Sequence, residues 1–399
     1  MSYLIARSLA SQFITPTELP PALLLNGPRA TGKTHLAQIL FPVHRHTSLA
    51  LPSEAVRALL DPAAFLASLS PPVVIDDVHL APRLIHHLAR EIASRPTPPA
   101  HYVLVGSRPI TLAAAAIAAF ADDPTRCRVL QLTGLSHAEV SAARPDLSLA
   151  GRLLRGGFPA VYADPAADVT EFMRQLIAEH LAHELPLQLR VDSVHDYERF
   201  TRALAQRSGR PLNKAELARE IGIAGSTAAI WLDTLVDAGV VSLVRPWQPP
   251  QGKPPAKAPK AYFLDTGLCA ALLGIRDEQD LADSPHAAML WETCVHGELR
   301  RLLAAAAPQA ELAFWRDRTK EVDFLLPTRH GLVLVDASWS EFPSSAAIFR
   351  LTRIRDTIGA DEVAAVAIVC RTLHSQSLRE PAGPAVETIG PDDLPGLLA

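Results

Sequence analysis

The clearest candidate for chemistry is a loop with the pattern G-x-x-x-x-G-K-[ST]. It follows the apolar run 22–25, which predicts a buried strand, and precedes a predicted helix that starts near His35. Glycines let consecutive backbone N–H groups turn around phosphate oxygens, and a helix N-terminus adds positive potential. The predicted phosphate-binding residues are Gly27, Pro28, Arg29, Ala30, Thr31, Gly32, Lys33 and Thr34.

Two adjacent acids extend this candidate site. Asp76 and Asp77 end the apolar run 73–75, where a short buried strand is predicted. Lys33 is expected to contact the β and γ phosphates, while Thr34 and Asp76 hold Mg²⁺ and Asp77 orients the attacking water. Either acid alone would also suit the cap of a following helix, but that role does not explain the pairing with Lys33. The pattern predicts a Mg²⁺-dependent nucleotide hydrolase.

Two further residues are candidates for catalysis. Ser107 follows the predicted strand 102–106, where it either senses the γ-phosphate or caps the end of the strand. Arg128 either acts on the nucleotide of a neighbouring subunit or forms a surface pair with Arg126. A guanine-specific N-K-x-D motif is lacking, since Asn213-Lys-Ala-Glu216 has the wrong acid. We therefore expect ATP as the nucleotide.

Composition limits the class of protein. The chain has 399 residues, of which 48% are hydrophobic and 20% charged, with a formal net charge of −4. This favours several globular domains and excludes a polycation that coats nucleic acid. We expect no membrane span and no secretory signal, hence a cytoplasmic protein. Four scattered cysteines without a C-x-x-C pair argue against disulfides and zinc knuckles.

The middle of the chain has two predicted parts. Residues 141–195 predict a helical lid, and residues 196–270 predict three helices and two strands, which is the order of a winged helix. The third helix begins with Ser226, Thr227 and Ala228, so base-specific contacts are not expected. Three of the six lysines lie in or next to the wing, where they would bind DNA phosphates without sequence preference. These lysines are Lys253, Lys257 and Lys260. A module for protein interaction is the alternative.

The order of motifs resembles the prokaryotic AAA-type ATPases that carry a C-terminal domain of unknown function. The motifs are GPRATGKT, VVIDDVHLAP, VGSR, CRVLQLTGLSHAE, GGFP, KAYFLDTGL, WETCVHGEL and EVDFLL. The resemblance implies an AAA+ P-loop core and a C-terminal domain similar to restriction-endonuclease folds. Ala30 replaces the usual glutamine, Thr133-Gly134 replaces a proline-containing pair, and Asp77 replaces the usual glutamate. Because Asp77 is one methylene shorter, we expect slow hydrolysis.

The C-terminal residues 284–399 predict a helix, a hairpin, a second helix and a buried strand. In nucleases with this core, a helix acid and two strand acids bind metal, and a lysine follows the last acid by two residues. The acids match Glu292, Asp323 and Asp336, but the lysine position holds Ser338. We therefore predict a degenerate nuclease site in a domain that is mainly structural.

The predicted fold is α/β: a P-loop AAA+ ATPase domain (1–140), a helical lid (141–195), a winged helix (196–270) and a restriction-endonuclease-like domain (284–399). The predicted function is a slow Mg·ATP hydrolase that couples nucleotide state to DNA or protein interaction, in a homo-oligomer. Two alternatives stay open. One is an ATP-gated, metal-dependent nuclease, and the other is a switch for assembly that binds ATP without hydrolysing it.

Overall fold

The computed structural model describes residue 7 and residues 19–164, 166–189, 191–249, 257–307, 310–372, 375–379 and 385–398. The chain divides into two compact units. Unit 1 comprises Met1–Leu135, Phe158–Pro165 and Thr234–Val240. Unit 2 comprises Ser136–Gly157, Ala166–Asp233 and Val241–Ala399. The boundaries of the four domains expected from the sequence stay a prediction. No helix of the described residues is long and apolar enough to cross a membrane.

Unit 1 is an α/β structure built on a parallel sheet of five strands. The strands are β1 (Ala22–Asn26), β2 (Arg45–Ser48), β3 (Val73–Asp76), β4 (Tyr102–Gly106) and β5 (Cys127–Gln131). The helices between them are α1 (Lys33–Leu40), α2 (Pro52–Leu60), α3 (Pro62–Ser68), α4 (Leu84–Ser94) and α5 (Pro109–Ala119). The strand order β2-β3-β4-β1-β5 brings the ends of β1, β3 and β4 to one edge of the sheet.

The three central strands form because their apolar runs are buried on both faces, as is usual for parallel sheets. Successive side chains alternate between two cores. Leu24, Ile75 and Leu104 pack into one core, and Leu23, Val74 and Val103 pack into the other. All six side chains are essentially inaccessible to solvent. This packing fixes the positions from which the polar loops at the carboxyl ends of the strands extend.

Unit 2 holds most of the remaining helices. They are α6 (His137–Ala143), α7 (Leu149–Arg155), α9 (Val169–Leu176), α10 (Leu185–Leu189), α11 (Val194–Ala205), α12 (Lys214–Ile221), α13 (Gly225–Asp237), α14 (Thr266–Leu272), α15 (Glu278–Asp283), α16 (Ala287–Ala306) and α17 (Ser345–Ile358). The short helix α8 (Ala160–Ala163) belongs to unit 1, as does the end of α13. A π-helical segment, Ile177–Glu184, connects α9 and α10 and was not expected from the sequence.

A mixed sheet of nine strands runs through unit 2. Its strands are β6 (Arg210–Pro211), β7 (Val241–Pro246), β8 (Lys260–Phe263), β9 (Ala313–Arg316), β10 (Glu321–Thr328), β11 (Gly331–Ala337), β12 (Val363–Val369), β13 (Gln376–Arg379) and β14 (Ala385–Ile389). Their order is β13-β14-β12-β11-β10-β9-β7-β8-β6. The predicted hairpin is therefore present as β10 and β11, with Phe324 opposite Val335.

The sequence did not reveal that the strands expected for the wing continue into the C-terminal sheet. Arg245 of β7 pairs with Ala313 of β9 in parallel, and the Trp247 backbone N–H donates to the Phe314 carbonyl over 2.7 Å. The second predicted wing strand, expected over residues 261–265, ends earlier, at Phe263. Asp265 lies outside β8 and caps α14 by accepting a hydrogen bond from the Leu268 N–H over 2.8 Å.

Candidate functional site

The loop between β1 and α1 is held by backbone contacts that require specific residues. Gly27 has a φ of 154°, and a Cβ on it would lie 1.9 Å from the Leu132 carbonyl oxygen. Asn26 is fully buried; its side chain accepts from the Gly27 N–H over 2.9 Å and donates to the Pro109 carbonyl over 2.8 Å. The start of the loop is thereby joined to the turn after β4.

Lys33 lies inside this loop rather than in solvent. Its side chain is buried, and Nζ donates to the Pro28 carbonyl over 2.6 Å. Burial lowers the pKa of Lys33 to about 8, although the charges of Asp76 and Asp77 oppose that shift. Thr31 also donates to the Pro28 carbonyl, over 2.9 Å. The ammonium therefore closes the loop and is available to anionic oxygens that enter it.

Thr34 and Asp76 meet, although they are far apart in the sequence. The Thr34 hydroxyl donates to Asp76 Oδ2 over 2.6 Å, and Asp76 Oδ1 accepts from the Asp77 N–H over 2.8 Å. Burial raises the pKa of Asp76, while the hydrogen bond from Thr34 lowers it. A hydroxyl and a carboxylate oxygen at this separation are the hard oxygen donors that Mg²⁺ prefers. These two residues fit the predicted Mg²⁺ position.

Asp77 has an unusual backbone. Its φ of 57° places it in the left-handed region, where aspartate is tolerated better than most residues. Its Oδ2 accepts a hydrogen bond from the Ser48 hydroxyl at the end of β2, over 2.9 Å. Aspartate is compatible with this conformation, although glutamate is usual here in the family that the sequence resembles. The hydrogen bond from Ser48 also means that one carboxylate oxygen is already engaged.

Ser107 and Arg128 lie in different parts of unit 1. Ser107 directly follows β4, whose Gly106 pairs with Asn26, so Ser107 lies beside the start of the phosphate loop. Arg128 is exposed and pairs with Leu23, three residues before β5 ends at Gln131. Arg126 donates to Asp123 and to the Ile92 carbonyl, so it is a structural residue. Arg128 therefore lies away from the loop of its own chain.

A segment that comes much later in the sequence also contacts the phosphate loop. Pro159 of the Gly-Gly-Phe-Pro turn belongs to unit 1, and its ring carbon lies 3.5 Å from where a Cβ on Gly32 would be. Gly239 lies against Pro28 and Pro109, because a Cβ there would be 2.7 Å from the Pro28 ring. The GGFP motif at residues 156–159 is typical of a turn and implies no chemistry of its own, so the sequence did not predict this contact.

The acids of the predicted nuclease site in unit 2 converge, but they do so around a lysine. Glu292 of α16 and Asp323 of β10 lie 3.1 and 3.3 Å from Lys260 Nζ, and Glu321 lies 2.5 Å from it. Although burial opposes the charge, Asp323, Glu292 and Glu321 raise the pKa of Lys260. Burial and Asp323 raise the pKa of Glu292 to about 7. We refer to Lys260, Glu292, Glu321 and Asp323 as the lysine cluster.

Asp336 is close to the lysine cluster but has a different cation. It pairs with Arg350 of α17, and its Oδ1 accepts from the Asp323 N–H over 3.3 Å. Burial, with the charge of Asp323, raises the pKa of Asp336 well above its usual value. Ser338 hydrogen-bonds to Ser340 over 2.7 Å. Among the described residues, no group of three or more histidines, cysteines or acids is arranged to hold a metal ion.

The prediction that Lys260 binds DNA phosphates is wrong. Its side chain is 1% exposed, because the ammonium is enclosed by the carboxylates of the cluster. A lysine so neutralised offers neither access nor free charge to a phosphate. Lys257 is exposed, as expected, and Lys253 lies outside the described residues.

Reasoning from the sequence missed two supporting residues and assigned the wrong role to a third. Asn26 directly precedes the phosphate motif and Ser48 ends β2, and neither belongs to a pattern that marks a site. Lys260 did carry a signal, because lysine is rare in this chain; among the lysines that the structure describes, Lys33 and Lys260 are the buried ones. That rarity was interpreted as a phosphate contact, since sequence spacing does not show which acids a strand will face.

Comparisons with known proteins assign family relationships to most of the chain. The family described as Domain of unknown function (DUF8612) matches residues 147–279. The family described as Domain of unknown function (DUF4143) matches residues 287–387. Uncharacterized protein Rv2008c of Mycobacterium tuberculosis is 33% identical over 318 residues, which are 78% of this chain and 68% of that protein. Uncharacterized protein Mb2031c of Mycobacterium bovis gives the same values.

Solved structures give weaker similarities. The Walker-type ATPase PABY2304 of Pyrococcus abyssi is 13% identical, with a TM-score of 0.43, over 67% of this chain and 96% of that one. The ORC1 protein of Aeropyrum pernix in complex with DNA is also 13% identical, with a TM-score of 0.28, over 68% of this chain and 93% of that one. The sequence relatives, rather than these structures, establish the family.

Proposed function

The chain belongs to the family of the mycobacterial proteins Rv2008c and Mb2031c, and we propose that it is a Mg·ATP-dependent ATPase of the AAA+ type with slow turnover. Lys33, Thr34 and Asp76 bind the nucleotide and its metal, and Asp77 positions the attacking water. ATP is proposed over GTP because a guanine-recognition motif is lacking.

The observation that carries this proposal is the hydrogen bond of 2.6 Å between the Thr34 hydroxyl and Asp76. Thr34 lies in the first turn of α1 and Asp76 ends β3, with β4 between β1 and β3 in the sheet. If this turn matched the phosphate-loop pattern only by chance, its threonine would not be expected to contact an acid from another strand. The buried ammonium of Lys33 beside the same carboxylate adds to this support.

Each residue has a definite task in binding. Lys33 exchanges its bond to the Pro28 carbonyl for bonds to phosphate oxygens, which are stronger because both partners are charged. The backbone N–H groups of the loop and the start of α1 bind the remaining oxygens. When bound, Mg²⁺ neutralises charge that develops on the transferred phosphoryl group. Ser107 contacts the γ-phosphate from the end of β4.

Slow turnover follows from the state of Asp77. A base that positions water must reach it within hydrogen-bond distance, yet this short carboxylate already accepts from the Ser48 hydroxyl. This observation favours a second candidate function, a switch for assembly that binds ATP and releases phosphate too slowly to act as a motor. Both functions share one ATP site and differ in the rate of hydrolysis.

The rest of the chain supplies the response to nucleotide. Helices α11, α12 and α13 and strands β6, β7 and β8 have the element order of a winged helix, and the hairpin β10–β11 with α16 and α17 supports a nuclease-like fold. We assign them to interaction with protein or with DNA phosphates, with Lys257 as an exposed contact. Arg128, exposed on the edge strand β5, is proposed to act on the nucleotide of a neighbouring subunit in a homo-oligomer.

The binding step is tested by equilibrium dialysis of labelled ATP with the full chain, in the presence and absence of Mg²⁺. Lys33→Ala removes the charged hydrogen bonds and is expected to weaken binding at least about tenfold. Thr34→Val keeps the shape of the side chain but should lose most of the effect of Mg²⁺ on affinity.

Lys257→Ala is the matched control, because it removes an exposed lysine outside the site and should bind as the wild type does. If Lys33→Ala and Lys257→Ala bind ATP equally well, the loop is not the nucleotide site. If the wild-type protein prefers GTP, only the choice of ATP as the nucleotide is contradicted.

A further inference from the structure

Lys260, in the lysine cluster of unit 2, has the surroundings of a bound cation. It is the first residue of β8, and its Nζ lies within hydrogen-bond distance of carboxylates from two other elements, α16 and β10. Phe314 of β9 lies on another side, with its ring centre 5.5 Å from Nζ. A buried ammonium with three carboxylate neighbours and an aromatic face has the same kinds of contact as a bound cationic ligand.

The carboxylates of the cluster have further hydrogen-bond partners. Glu292 Oε1, the oxygen that faces Lys260, also accepts a hydrogen bond from the Tyr262 hydroxyl over 2.6 Å. Asp323 Oδ2 accepts from the Ala337 N–H over 3.0 Å, and Glu321 Oε2 lies 3.3 Å from Arg316. A divalent cation needs about six oxygen ligands, several of them free to approach it closely. With Lys260 in place, few such oxygens are available.

Lys260 also lies on a strand that is central to its own small sheet. β8 is central to the small sheet of the predicted winged helix, since it pairs with both β6 and β7. The carboxylates belong to α16 and β10 of the C-terminal residues. The lysine cluster therefore adds ion pairs between two parts of unit 2 that sequence reasoning treated as separate domains, beside the ring contacts of Tyr262 with His296 and Phe324.

We propose that the lysine cluster is a cation site occupied by the chain's own Lys260, which excludes divalent metal and fastens β8 to α16 and β10. The carboxylates need a positive charge at the point where they converge, and the ammonium supplies it. Where Lys260 is removed, the convergence of Glu292, Glu321 and Asp323 favours a divalent cation with the same preference for carboxylate oxygen, such as Mn²⁺. This inference is independent of the proposed ATPase function.

The test is a titration of the nucleotide-free full chain with Mn²⁺, with unbound Mn²⁺ measured by electron paramagnetic resonance. Lys260→Met keeps the length of the side chain without its charge. This variant is expected to bind one more Mn²⁺ than the wild type, at least about tenfold more tightly than any site of the wild type. The added site should disappear in Lys260→Met/Asp323→Asn, and Lys257→Met should behave as the wild type.

Two results would overturn the proposal. One is a folded Lys260→Met protein, checked by near-ultraviolet circular dichroism, that gains no Mn²⁺ site. The other is wild-type binding of Mn²⁺ that Asp323→Asn abolishes, because metal would then enter with Lys260 in place. The comparison of wild type with Asp323→Asn decides the question even if Lys260→Met does not fold, since equal Mn²⁺ binding supports exclusion and a difference contradicts it.

Discussion

At the scale of single residues, supporting polar contacts fix the functional groups of this chain. Asn26 holds the start of the phosphate loop, Ser48 holds Asp77, and Lys260 neutralises the acids of the C-terminal hairpin. The motif letters predicted Lys33, Thr34 and Asp76 because phosphate chemistry restricts both residue type and spacing. They did not predict the supporting residues, because a buried asparagine or a strand-end serine has no spacing rule of its own.

His296 of α16 gives a test of burial by pH. It is fully buried, its ring stacks on Tyr262 with centres 4.4 Å apart, and burial with the charges of Arg300 and Arg301 lowers its pKa well below the usual value. The unfolded chain takes up a proton at this histidine below about pH 6.5, while the folded chain does not. The contribution of His296 to the free energy of unfolding should therefore fall by about 2 kcal/mol when the pH is lowered from 7 to 5.

His296→Phe keeps an aromatic ring and should remove this loss, as measured by urea unfolding at the two pH values. Comparison with the wild type is essential, because Glu292 also titrates in this range. Burial and Asp323 raise the pKa of Glu292 to about 7, so its contribution to the free energy of unfolding falls as the pH rises. His195→Phe, at an exposed position, is the matched control and should keep the wild-type dependence. An unchanged dependence in His296→Phe would show that His296 is protonated in the folded state.

At the scale of elements, a short connection helps to position the parts of unit 2. Asp265, between β8 and α14, accepts hydrogen bonds from the Gly157 N–H over 2.7 Å and from the Leu268 N–H over 2.8 Å. It thus joins the Gly-Gly-Phe-Pro turn to the start of a helix that follows much later in sequence. The sequence predicted the turn and the helix-rich region, but it placed Asp265 at the end of a strand because the apolar run 261–264 extends up to that residue.

Gly156→Ala tests this connection. Gly156 has a φ of 66°, and an added Cβ would lie 2.2 Å from Asp265 Oδ1. Because the strain and the clash act together, we expect a loss of roughly 2 kcal/mol or more in the free energy of unfolding, measured by urea denaturation. Gly225→Ala is the control, since its Cβ would meet nothing within 4 Å, and it should be neutral or slightly stabilising. Equal stability of the two variants would show that the turn adapts without cost.

At the scale of the whole molecule, how well the sequence predicted the structure depends on the range of the interactions involved. The parallel sheet of unit 1 was predictable because its buried strands alternate with helices, and the hairpin β10–β11 because of its central turn. The pairing of β7 with β9 was not, since strand partners that are distant in sequence leave no local pattern. The lysine cluster was not predicted for the same reason, because its residues come from β8, β10 and α16.

The central claim is that one site in unit 1 binds and slowly hydrolyses ATP, and phosphate release with Mg·ATP tests it most directly. The rates of wild type, Lys33→Ala and Asp77→Ala are compared, with bound ATP measured in the same samples. We expect slow release by the wild type, loss of both binding and release in Lys33→Ala, and loss of release with binding retained in Asp77→Ala. Equal release rates in all three proteins would contradict the account.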